Sequence, residues 1–152
     1  MPGSLCPAGE PAPAIPAVPA IPVIPSHWSF PADPTSVRRA RRAVMGALPR
    51  GCRPELADEL VLVTSELVTN ALLYGTCPAH GCPIELVLWP ADGYCWLAVS
   101  DPGTALPALA SPGPRECGGR GLLLVSALTA AWAVVPRHGC GKSVVVGLRL
   151  AG

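Results

Sequence analysis

The chain has 152 residues, a mass of 15.6 kDa, 50% hydrophobic residues and only 14% charged ones. That length suits one domain of ordinary size. Eleven Lys+Arg against ten Asp+Glu leave a net charge of +1, which argues against a general polyanion binder and against a charged disordered chain.

Ten of the 20 prolines fall within residues 1–34. The run Pro11–Pro25 reads as an extended, polyproline-like tail with no core to join, so residues 1–26 are expected to be a Pro-rich disordered tail and 27–152 the folded domain. The tail has neither the basic start nor the unbroken apolar stretch of a signal peptide. The longest apolar stretch, 121–135, is shorter than the ~20 residues that span a bilayer. A soluble, cytoplasmic protein without membrane attachment is therefore expected.

The seven cysteines contain no CxxC pair. Cys77, His80 and Cys82 offer three metal ligands within six residues, but no fourth is evident, and reduced thiols in a Pro/Gly loop are the better reading.

In chain order, His27–Phe30 predicts a short strand. Thr35 or Ser36 caps a helix through Leu48, with Val37, Ala40, Val44 and Leu48 facing a core. Arg38, Arg39, Arg41 and Arg42 then form an outer, solvated face, with no direct nucleic-acid role. A second helix runs from Pro54 to Tyr74 and stops at Gly75, a residue suited to a left-handed C-terminal position. Ile84–Trp89 and Tyr94–Ser100 predict a hairpin turned by Pro90-Ala91-Asp92-Gly93. Residues 102–118 carry four prolines and form a loop. Gly119–Trp132 predicts a third helix, and Ala133–Pro136 and Ser143–Leu150 the last two strands. This order does not alternate as βαβ units do. It predicts an α+β, two-layer sandwich in which a mixed, mostly antiparallel sheet carries three helices on one face.

Three blocks carry chemistry. Glu66 and Asn70 are one turn apart on the second helix: a carboxamide oxygen can ligate a hard cation, and a carboxylate can orient or deprotonate a nucleophile. Asp101 ends a strand before Pro102-Gly103, where a buried carboxylate can accept from an exocyclic amine. Gly118-Gly119-Arg120-Gly121 opens a helix, whose free N–H groups and positive end suit a phosphate. Gly139-Cys140-Gly141-Lys142-Ser143 imitates the end of a P-loop, but Pro136 stands where that motif requires glycine and a strand follows instead of a helix.

With these blocks in this order, the sequence resembles the GHKL ATPase superfamily, which includes gyrase and the histidine kinases. Within it the chain resembles the small anti-sigma-factor serine/threonine kinases and their stand-alone bacterial relatives. "SELVTNALLYG" is close to that group's N box and "GGRGLLLV" to its second glycine box. The resemblance implies an ATP site between the second helix, the sheet and a lid, with Asn70 on Mg2+, Glu66 as general base and Asp101 on the adenine amine. It also implies Gly103 lining the adenine, Gly119, Arg120 and Gly121 at the phosphates, and Ser143 where the family often has a threonine near the Asp101–adenine contact. Implied partners are a sigma factor and an anti-anti-sigma (STAS-type) protein phosphorylated on serine; the related kinases are commonly dimers, which keeps a homodimer open. The first glycine box departs from the usual DxGxG, with Ala105 in place of the second glycine. The lid, 104–118, is short, and Arg115 is its only cation, with two readings open: the γ-phosphate contact from that side, or a solvated arginine. No histidine sits on a dimerisation helix, which sets aside a complete sensor histidine kinase. A Mg-ATP-dependent serine/threonine kinase is the expected function; the alternative is a non-catalytic ATP-binding module that regulates transcription through protein partners.

Overall fold

The computed structural model describes Val18 and residues 25–75, 81–103, 117–137 and 141–151, with side chains left aside at 117–122. The chain order is β1 (Ser26–Phe30), α1 (Thr35–Gly46), α2 (Leu56–Tyr74), β2 (Ile84–Ala91), β3 (Tyr94–Asp101), α3 (Cys117–Leu128), β4 (Ala131–Pro136) and β5 (Lys142–Arg149). The five strands form one sheet in the order β1-β2-β3-β5-β4. Every pairing among them is antiparallel, so the parallel component expected of a mixed sheet is not found among the described strands. The α+β architecture stands.

Period-2 alternation decides which side of the sheet each residue serves. Leu86, Leu88, Cys95, Leu97, Val99, Val144, Val146 and Leu148 point to one face and are buried against Ala40 and Val44 of α1, the Leu60–Ala71 stretch of α2, and Val125 of α3. All three helices thus share the core of one sheet face. The opposite face carries Trp89, Trp96, Ala98, Ala131 and Val145. There the rings of Trp89 and Trp96 stack with centroids 6.4 Å apart. Trp96 lies over Gly147, where any Cβ would come within 2.9 Å of its ring.

α1 buries Ser36, Ala40 and Val44, close to the predicted stripe. Its start is held by Asp33, whose Oδ1 accepts from the Thr35 backbone N–H at 2.8 Å and from its hydroxyl at 2.9 Å. The cap is therefore Asp33 rather than Thr35 or Ser36. Its outer face keeps Arg38, Arg39 and Arg42 exposed, with Arg39 5.4 Å above the Phe30 ring. Arg53 then ties the α1–α2 connection to the far end of the sheet: its Nε donates to the Arg149 carbonyl at 2.8 Å and its guanidinium pairs with Glu59.

The β2–β3 turn is tighter than predicted. β2 runs on through Pro90 and Ala91, leaving two turn residues, Asp92 (φ 54°) and Gly93 (φ 81°). Two successive left-handed residues match the right-handed twist of a hairpin, and Asp-Gly is a favoured pair for it. α3 departs more. It ends at Leu128, and Ala131 and Trp132, expected in the helix, belong to β4. Both stretches are apolar, so helical and strand patterns look alike there; pairing of Ala131 with Gly147 and Trp132 with Val146 decides the matter. The Pro-rich run apart from Val18 and Pro25, Cys77, His80, Cys140 and the lid residues Ala105 and Arg115 lie outside the described residues. No described helix is long and apolar enough to cross a membrane.

Candidate functional site

α2 lies on the helix-covered face of the sheet, and its last turns meet the ends of β3 and β5. The resulting cleft is lined by Leu67, Asn70, Ala71, Tyr74, Val99, Asp101, Lys142 and Val144. Its free space, counted out to the open mouth, is about 280 Å³.

Asp101 is the charged centre of this cleft. It ends β3 in register opposite Lys142 and is only 2% exposed. Its Oδ1 accepts from the Gly103 backbone N–H at 2.9 Å and from Lys142 Nζ at 2.9 Å. Burial raises the Asp101 carboxyl above its ordinary range, outweighing the stabilisation of the charged form by Lys142 and the Gly103 amide. The backbone around it comes unusually close. A Cβ on Gly75 would lie 2.2 Å from Asp101 Cγ, and one on Gly103 would lie 2.6 Å from Gly75 Cα. Gly75 has φ −111°, so it does not take the left-handed conformation expected of it. The glycine is required because the Asp101 carboxylate occupies the place of a side chain.

On α2, Asn70 is 8% exposed, and its Nδ2 is buried without a hydrogen-bond partner among the described residues. A buried amide N–H group left without an acceptor costs free energy unless something else completes it. Glu66 stands one turn earlier, half-buried, and is not among the residues lining the cleft floor. Gly119, Arg120 and Gly121 fall in the first turns of α3; of the three, only the Gly119 N–H lies among those that lack an intrahelical acceptor.

Asp101 and Asn70 therefore meet at one cleft, as the sequence led one to expect, with Gly103 bound to the former. Ser143 does not join them. It pairs with Ser100, and the two hydroxyls share a 2.6 Å hydrogen bond on the side of the sheet that bears Ala98 and Val145. Alternation along β5 turns Ser143 away and Lys142 inward. Lys142 is the functional candidate that sequence reasoning missed. Two signals were present: it is the single lysine of the chain, and it lies an even number of residues before the inward Val144, Val146 and Leu148.

Among the described residues the remaining chemistry-bearing groups do not form a second centre. Among the described residues no group of three or more His, Cys, Asp or Glu side chains could hold a metal ion. Cys52 and Cys95 are free thiols, and burial pushes the Cys95 thiol up to about 12, which makes it a poor nucleophile.

This geometry can be set beside known proteins. The sequence profile of the histidine kinase-like ATPase domain matches residues 30–146, more than half of the chain. The chain belongs to this family. The ATPase domain is an ATP-binding one, and its stretch includes the cleft, the whole of β2, β3 and β4, most of β5 and only Phe30 of β1.

Solved structures agree on the fold. The crystal structure of the RsbU and RsbW domains of Rv1364c from Mycobacterium tuberculosis is 22% identical with a TM-score of 0.64, over 85% of this chain and 33% of that one. The histidine kinase domain of the blue-light activated histidine kinase from Erythrobacter litoralis is 24% identical with a TM-score of 0.51, over 79% of this chain and 61% of that one. The histidine kinase-like ATPase chain thus spans about a third of the first protein's length and three fifths of the second's. No curated protein is similar enough to the chain to count as a match.

Proposed function

We propose that this ATPase domain, taken to run over residues 27–152, is a Mg-ATP-dependent serine/threonine kinase of the anti-sigma-factor type. Its substrate would be a small STAS-type anti-anti-sigma protein, and it would also sequester a sigma factor. The observation that carries the reading is the meeting of a deeply buried carboxylate, Asp101, and a buried carboxamide, Asn70, whose Nδ2 has no hydrogen-bond partner among the described residues, at one cleft between α2 and the sheet. The likeness to a structure that contains an RsbW domain agrees with a role in partner switching.

The residues present fit the nucleotide. Asp101 offers an acceptor to the amine of adenine, and the apolar walls Leu67, Ala71, Val99 and Val144 suit the faces of a base. Asn70 offers a carboxamide oxygen to Mg2+, which commonly takes one or two protein ligands and fills the rest with phosphate and water. When bound, the metal would neutralise charge developing on the transferred phosphoryl group. Gly119 would offer its backbone N–H at the start of α3 to the phosphates and Gly121 would let them approach closely; Arg120 and, from the lid, Arg115 would add positive charge there. Glu66 would take the hydroxyl proton of the substrate serine.

Glu66 separates this reading from a module that holds ATP and transfers nothing. With purified protein, ATP and a STAS-type partner, Glu66→Ala is expected to lose phosphotransfer while keeping nucleotide affinity within a few-fold, because a base acts in the transition state. Asn70→Ala is expected to weaken Mg-ATP binding itself. Full transfer by Glu66→Ala would remove the base assignment, and no transfer by the unmodified protein to any such partner would favour the binding module.

A further inference from the structure

Lys142 lines the same cleft but has no part in the chemistry described so far. Its side chain is 7% exposed and that of Asp101 3%. Burying such a pair brings little net stability, because two well-packed apolar residues generally serve as well or better. The wall around it is already apolar. What the pair does supply is an acceptor and a donor side by side, 2.9 Å apart, on one wall of the cleft. Asp101 takes one of the three N–H groups of the Lys142 ammonium, which leaves others to offer to a ligand.

An adenine ring carries the complementary edge: the exocyclic amine donates, and the ring nitrogen next to it accepts. We propose that Lys142 is a specificity-determining residue that donates to this ring nitrogen while Asp101 accepts from the amine. The inference rests on the reading of the cleft as the adenine site and adds a second point of base recognition to it. A guanine in the same seat presents a carbonyl to Asp101 and an N–H to Lys142, so both contacts are mismatched.

The test compares ATP with 1-deaza-ATP, in which a C–H replaces the ring nitrogen and the amine is kept. Calorimetric titrations of the wild-type protein should show 1-deaza-ATP binding roughly ten-fold or more weakly, the loss expected for one charge-assisted hydrogen bond. In Lys142→Met the two nucleotides should bind alike, and Lys142→Gln, which retains a donor, should recover part of the preference. Equal affinities in the wild type would overturn the role of Lys142 while leaving the ATP site in place. A preference that persists in Lys142→Met would overturn it too, by assigning the contact elsewhere. Failure of the wild type to bind either nucleotide would remove the adenine site and this inference together. The wild-type comparison decides the matter even if a variant fails to fold.

Discussion

Gly75 and Asp101 share one volume: the carboxylate at the end of β3 lies where the side chain of residue 75 would be, 2.2 Å from the ideal Cβ position. The C-terminus of α2 is thereby held against β3, and the carboxylate is fixed at the cleft. Neither residue explains itself without the other.

Gly75→Ala should accordingly displace Asp101. Its φ of −111° is open to alanine, so the whole penalty is steric. A loss of about 1–3 kcal/mol in stability is expected, as for overpacking of a tight interior, together with weaker ATP binding. Gly46→Ala, where nothing lies within 4 Å of the new methyl, is the control and should be neutral or stabilising by up to about 1 kcal/mol. Thermal unfolding and ATP titration of the two variants check this; an unaffected Gly75→Ala would contradict the close packing.

The Asp101–Lys142 pair makes a second prediction, with a definite pH sign. Lys142→Met strands a buried carboxylate and should cost about 3–5 kcal/mol at neutral pH. The double variant Asp101→Leu with Lys142→Met should recover most of that loss. Burial already raises Asp101 above its ordinary 3.8, so the folded protein holds this proton more tightly than the unfolded chain. The stabilising effect of protonation is therefore fully present below the unfolded value and is lost as pH rises through the raised folded one. Relative to Asp101→Asn, the wild type should gain stability on acidification through that window. Denaturant unfolding at several pH values measures it, and the opposite slope would mean that Lys142 outweighs burial.

Ser143 provides the third. Its hydroxyl is bonded to Ser100 on the face away from the helices. Ser143→Ala should leave ATP affinity within about two-fold and reduce stability by about 0.5–1.5 kcal/mol, the worth of an ordinary hydrogen bond. A large drop in nucleotide affinity without loss of stability would return Ser143 to the site.

The linear sequence by itself determined the α2 helix and the strand alternation. Hydrophobic period is a local property, and the apolar positions Leu60, Leu67, Val68 and Ala71 recur as one helical face must and are buried. It also determined that Glu66 and Asn70 stand one turn apart, and that Asp101 ends a strand. Tertiary structure decided the rest. The boundary between α3 and β4 lies in a continuous apolar stretch where either element fits, and only pairing with β5 places Ala131 and Trp132 in the sheet. Register decided between neighbours: a one-residue step along a strand reverses the face, so Lys142, and not Ser143, came to stand beside Asp101. The need for glycine at 75 likewise followed from a carboxylate 26 residues away in the chain, at a contact no local pattern encodes.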